Sequence, residues 1–196
     1  MISLTQKERE TMLILFKDIT AFYNANSISK VLGISHVGAQ KIFKRLLNES
    51  LLTDKKIGKS IVYKPKLDDD YASKLIAFLL ADEANNFKRW REEFKQLFKK
   101  DRIIMLYGSA IKNYAQAGDI DIMAVIKKGE FKDVRDILKE KQKVLPKKIH
   151  SIELTADDLL KNIKQKRKSM IDIVKNAVIL YGQDNYVDIM KNVAGF

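Results

Sequence analysis

Cysteine is absent from this chain, so disulfides, thiolate metal sites and a cysteine nucleophile are all excluded. Histidine occurs only twice, at His36 and His150, too far apart in sequence to suggest a zinc site. No apolar run approaches the roughly 18–20 residues that a membrane-spanning helix needs. The opening MISLTQKERE lacks the apolar centre of a signal peptide, so the expectation is a cytoplasmic protein with no membrane partner. What is present is an apolar fraction of 46%, enough to build a core and too much for a disordered chain.

Charge is strongly one-sided. The 37 basic and 25 acidic residues give a formal net charge of +12, which favours a polyanionic partner or substrate. The excess concentrates in one place: from Lys41 to Lys66 there are 8 Lys/Arg against 2 Asp/Glu.

That basic stretch lies in the first of three segments. TQKERETMLILFKD has helical apolar spacing through Met12, Leu13, Leu15 and Phe16. Asn26 or Ser27 can cap a short second helix that stops at Gly33, and Ser35 can cap a third. In the third, Val37, Ile42, Leu46 and Leu47 form the expected inward stripe, leaving Gln40, Lys41, Lys44 and Arg45 mostly outward. LLTDKKIGKSIVYKP then reads as a hairpin whose loop carries Lys55, Lys56 and Lys59. Helix, helix-turn-helix and basic hairpin in that order resemble a winged helix-turn-helix domain over residues 1–66. The resemblance implies duplex DNA as a partner, with Gln40, Lys41, Lys44, Arg45, Lys55, Lys56 and Lys59 as candidate contacts and His36 near phosphate.

Residues 67–100 form the second segment. From Asp68 onward it has no glycine or proline and keeps helical spacing, so it reads as a helical connector. Asp68 to Asp70 suit a helix N-terminus and Lys99 and Lys100 a C-terminus. Trp90, Phe94 and Phe98, spaced by four, read as a packing stripe, and the apolar helices between Tyr71 and Phe98 offer a surface for a homodimer.

The third segment, 101–196, changes character. RIIMLY, IDIMAVI and KKIHSIEL read as buried strands, with FKDVRDILKEKQ a helix between the last two. Asp119 and Asp121 fall on one face of the second strand, while Ile120 and Ile122 face the core. Two carboxylates so close repel each other unless a proton or cation lies between them, and Mg²⁺ is the natural hard cation for an oxygen pair. Gly108 and Ser109, at the end of the first strand, allow close approach of backbone to phosphate. Carboxylates that hold a metal beside a phosphate-holding turn describe a site for nucleotide chemistry.

The ordered set of strand, Gly-Ser, about ten residues, then D-I-D-I on a strand resembles the motif of the DNA polymerase β-like nucleotidyltransferase superfamily. Its small prokaryotic branch, the minimal nucleotidyltransferases, is the most similar, and some of its members are fused to a winged helix. The resemblance covers roughly residues 102–154. It implies an α/β (α+β) nucleotidyltransferase domain with a mixed sheet, preceded by the mostly helical winged domain and the connector. It also implies two Mg²⁺ ions and an NTP substrate, with Gly108 and Ser109 on the β and γ phosphates. Asp119 and Asp121 become metal ligands. Glu153, between Ile152 and Leu154, takes the place of the family's third acidic residue, completing a second metal site or acting as base. By strand alternation His150 faces the other side from Glu153 and reads as structural or surface, while Asp157 and Asp158 are charges at the start of a helix capped by Thr155. The chain departs from the family pattern at Ala110 to Asn113, where a basic residue and a glycine are usual, and at Gly118, where serine is usual.

Two functions follow as expectations. One is an enzyme that moves a nucleoside monophosphate from an NTP to an acceptor that is a protein, a nucleic acid or a small molecule. The alternative is a DNA-binding transcriptional regulator whose nucleotidyltransferase-like domain binds nucleotide or a partner without turnover.

Overall fold

The computed structural model describes residues 3–193; the outermost limits of the first and last expected segments, 1 and 196, lie outside them. The chain divides into two compact units, one reaching to Leu79 and the other covering Leu80–Val193. The segment expected to be a helical connector holds helix α4 (Asp70–Asn85), then α5 (Lys88–Glu93) and a 3-10 turn at Lys95–Leu97. Asp69 caps α4 by accepting from the Ala72 amide at 2.9 Å, in line with the acidic run there.

In the first unit, α1 (Gln6–Lys17), α2 (Ala25–Leu32) and α3 (His36–Asn48) precede an antiparallel hairpin, β1 (Leu52–Ile57) and β2 (Ser60–Pro65), closed by Gly58-Lys59. Thr5 and Glu8 form a capping box on α1. The cap of α2 is Asn24, ahead of both expected candidates, Asn26 and Ser27, with Ser27 reciprocating from the third helical position. Gly33 ends that helix at φ +63°, and Ser35 caps α3 as read from the sequence.

The inward stripe of α3 differs from expectation. Ala39, Phe43 and Leu46 are buried, whereas Val37 is 58% exposed. Phe43 sets this rotation by stacking on Tyr63 of β2, with ring centroids 3.9 Å apart and planes 13° apart. The Tyr63 amide in turn donates to the Tyr23 carbonyl at 3.0 Å, tying the segment before α2 to the hairpin.

The second unit is mixed α/β. Its four-stranded sheet has the order β5 (Lys148–Leu154), β4 (Asp119–Val125), β3 (Ile103–Tyr107), β6 (Val178–Tyr181). β3 runs antiparallel to both neighbours, and β4 and β5 are parallel, joined by crossover helix α6 (Phe131–Val144). One face of the sheet buries Ile104, Leu106, Ile120, Ile122 and Ala124 in a core with Trp90, Phe94, Leu97, Val134 and Leu138. Trp90 and Phe94 are therefore packing residues, as their spacing predicts, and Phe98 stacks on Tyr181 at 4.9 Å. The alternate residues Ile103, Met105, Met123 and Val125 are buried as well. Beyond β5, α7 (Ala156–Lys164) is capped by Thr155 with Asp158 reciprocating, as expected, and α8 (Lys168–Asn176) and α9 (Gln183–Lys191) complete the unit. Among the described residues no helix is long and apolar enough to cross a membrane.

Arg102, just before β3, is the most buried charge of this unit, at 1% exposure. Its guanidinium donates to Glu130 Oε1 through Nε at 3.0 Å and Nη2 at 2.8 Å, and to Asp133 Oδ2 at 2.5 Å. Both carboxylates stand at the start of α6, where the helix dipole already favours negative charge. Arg102 hydrogen bonding holds Glu130 below the usual carboxylate range, and Lys99 followed by Arg102 does the same for Asp133. Stability contributed by depressed carboxylates is present above their ordinary range and lost as pH falls through their folded values. Arg102→Met is expected to lower stability by about 2 kcal/mol at neutral pH. Urea midpoints measured against pH should show a shallower acid-side decline for the variant than for the wild type.

Candidate metal and phosphate site

The site begins where β3 runs out. Tyr107 ends the strand, Gly108 turns the chain at φ +76°, and Ser109–Ile111 form a 3-10 turn. Gly108 packs so tightly that a Cβ on it would fall 1.9 Å from Asp121 Oδ2. Glycine is required there twice over, by the backbone angle and by the carboxylate beside it.

The following loop is pinned from outside. Lys147, just before β5, donates its ammonium to the carbonyls of Tyr114, Ala115 and Ala117. The Tyr114 ring lies under the same ammonium, at 4.5 Å, and beside the Arg89 guanidinium at 4.2 Å. This anchoring delivers the chain to the start of β4 in a defined path.

On β4 the predicted alternation holds: Ile120 and Ile122 are fully buried, and the side chains of Asp119 and Asp121 remain 33% and 19% exposed. Tyr107 stands opposite Asp121 in the antiparallel pair. Burial foremost, and then Asp119, raise the Asp121 carboxyl above its usual range, with His150 opposing. The Tyr107 hydroxyl is pushed up to about 12 by burial and by the two carboxylates.

The third member of the group corrects the sequence reading. β5 lies parallel to β4 in a register that sets His150 level with Asp121 and Glu153 level with Ala124. Level residues on parallel neighbours share a face, so His150 joins the aspartates and Glu153 points to the side of α6. There Glu153 accepts from Arg135 Nε at 3.2 Å and from Ser151 Oγ at 2.5 Å. It is no part of the aspartate site. His150 Nδ1 instead lies 2.9 Å from Asp119 Oδ2 and 3.9 Å from Asp121 Oδ1. One ligand atom from each of Asp119, Asp121 and His150 falls within 4.8 Å of the others, a set able to hold a cation. The alternation of KIHSIEL already separates His150 from Glu153, yet only the register against β4 tells which face the aspartates occupy.

The basic surface of the first unit is mostly where the sequence puts it. Gln40, Lys41 and Lys44 are exposed on α3 beside His36 and Val37, and Lys55, Lys56 and Lys59 are exposed on the hairpin. Arg45 is a correction. Its guanidinium donates to both oxygens of Glu8 at 2.9 Å and to the Ser3 carbonyl at 2.6 Å. Glu8 is only 3% exposed, so Arg45 neutralises a buried charge and is committed to the fold. Nothing local signals this, since the partners are 37 residues apart.

No family model matches the chain, and comparison with curated proteins and with solved structures found no match.

The Gly108–Asp121 contact has a direct test. Gly108→Ala should lower stability by about 1–3 kcal/mol, because it adds backbone strain and displaces a carboxylate. Gly118→Ala is the control, since a Cβ there meets nothing within 4 Å. Thermal melting of the two variants should separate them clearly.

Proposed function

We propose that the unit covering Leu80–Val193 is a divalent-cation-dependent nucleotidyltransferase domain, and that the unit before it is a DNA-binding winged helix. The observation that carries the first part is the pairing of Asp119 and Asp121 on one strand face, directly against the glycine turn at Gly108. Like charges kept this close favour a cation between them, and a polyphosphate is the substrate class that brings one. Asp119, Asp121 and His150 would hold the ion. Bound there, a divalent cation would neutralise phosphate charge and polarise the reacting phosphoryl group.

The chain's own residues account for the rest. Gly108, lacking a side chain, lets the triphosphate approach backbone, and Ser109 offers an exposed hydroxyl and amide to the β and γ phosphates. Lys112, exposed in the same turn, supplies a mobile positive charge. In the reaction an acceptor hydroxyl attacks the α-phosphorus, the bond to the β-phosphate oxygen breaks, and pyrophosphate leaves. The acceptor oxygen ends bonded to the nucleoside monophosphate and its proton passes to a base. With His150 committed to the ion, a water molecule takes that role. With Glu153 on the other face, one set of ligands is assembled among the described residues, so the reading is for one ion and not two.

That missing carboxylate favours a second reading, in which the domain binds nucleotide as a signal for DNA binding, without turnover. Calorimetry and pyrophosphate release with the four NTPs decide between them. Divalent-dependent NTP binding should weaken by at least about tenfold, or about 1.4 kcal/mol, in Asp119→Ala/Asp121→Ala. Pyrophosphate release by the wild type supports transfer; binding without release supports the sensor; no binding overturns both.

For the first unit, the exposed lysines of α3 and the hairpin support contact with phosphate backbone. Replacing Lys41 and Lys44 by alanine should leave the melting temperature unchanged. The log–log salt dependence of duplex binding should become shallower by about 0.9 for each phosphate contact removed. Arg45→Ala should instead lower the melting temperature, and an unchanged salt slope for the lysine variant would count against DNA binding through this face.

A further inference from the structure

The donor set at the end of the sheet is not the one an aspartate pair alone implies. Carboxylates and water suit Mg²⁺, a hard ion that favours oxygen and gains little from an imidazole. Here an imidazole nitrogen stands among the donors, 2.9 Å from one carboxylate and 3.9 Å from the other. The backbone puts it there, since the parallel pairing of β4 and β5 sets His150 level with Asp121.

The spacing approaches that of one coordination sphere. Donors bound at about 2.1 Å lie about 3.0 Å apart when adjacent and about 4.2 Å apart when opposite. The three observed donors all lie within 4.8 Å of each other, slightly wider than that arrangement. His150 has room to move closer, with its side chain 47% exposed. Two carboxylates and one imidazole form a mixed O/N set, and such sets bind first-row transition ions more tightly than alkaline-earth ions.

We propose that Asp119, Asp121 and His150 form a site for a first-row transition-metal ion, with His150 as a nitrogen ligand, in preference to Mg²⁺. This rests on the reading of the same site as the cation site of a nucleotide-binding domain. The competing account is that His150 serves only as a hydrogen-bond donor to Asp119 and never meets the ion.

The test uses the full chain with Mg²⁺, Mn²⁺ and Co²⁺ as probes, by calorimetry, together with pulsed EPR of bound Mn²⁺. Mn²⁺ and Co²⁺ should bind about tenfold or more tightly than Mg²⁺. Bound Mn²⁺ should show ¹⁴N modulation from a directly coordinated imidazole. His150→Ala should abolish that modulation and weaken Mn²⁺ by at least the roughly 10- to 100-fold that loss of an outer-shell partner costs. Its Mg²⁺ affinity should change little. His150→Asp, which restores an all-oxygen set, should shift preference back toward Mg²⁺. Thermal melts of both variants check that they fold. Mn²⁺ binding without nitrogen coupling, unaffected by His150→Ala, overturns the histidine ligand and leaves the nucleotide-binding reading standing. If none of the three ions binds, with or without ATP, both fall together.

Discussion

Two carboxylates on one face of a strand, with a single residue between them, are the constraint around which the second unit is organised. In water they would rotate apart. Here the backbone of β4 sets their spacing, Gly108 closes one side of Asp121, and His150 approaches Asp119 from the neighbouring strand. Partial burial, added to by the resulting repulsion, holds the Asp121 carboxyl above its usual range. A fold gains nothing in stability from such a pair. The pair makes physical sense as a receptor for positive charge.

Holding it demands rigidity on both sides. Arg102 fastens the start of β3 to the start of α6 through Glu130 and Asp133, so the strand leading into Gly108 is fixed at its far end. Lys147 fastens the loop leading into β4 through three backbone carbonyls. These two cations work differently. The buried guanidinium forks between two partly exposed carboxylates, whereas the ammonium gathers convergent carbonyls as a point charge. Lys147 in particular brings order to a segment that lacks regular secondary structure of its own.

The first unit shows the same division of labour between arginine and lysine. Arg45 and Lys44 are adjacent on α3, and a count of charges treats them alike. Arg45 reaches back to the buried Glu8, whose other hydrogen bonds close the cap of α1. Lys44 stays on the exposed face with Gln40 and Lys41. The basic excess of this stretch is therefore partly internal structure, and the outward-facing share is what a polyanion can meet.

Local pattern determined much of this protein without further help. Caps at Thr155 and Ser35, the stop at Gly33, the packing role of Trp90 and Phe94, the strands RIIMLY and IDIMAVI, and the shared face of Asp119 and Asp121 are all legible in residue types and their spacing over a few positions. The cap of α2 falls at Asn24, ahead of Asn26 and Ser27, because Asn24 and Ser27 satisfy each other, a pairing that Asn26 cannot match from inside the helix. Partners distant in the chain decided the rest. Phe43 meeting Tyr63 turned α3 and exposed Val37, and Glu8 drew in Arg45. Most consequentially, the register of β5 against β4 placed His150 and not Glu153 beside the aspartates. A strand's side chains alternate whatever its neighbour is, so its sequence separates two faces but leaves them unlabelled. Only the hydrogen-bonded pairing with another strand assigns one face to the core and the other to the site.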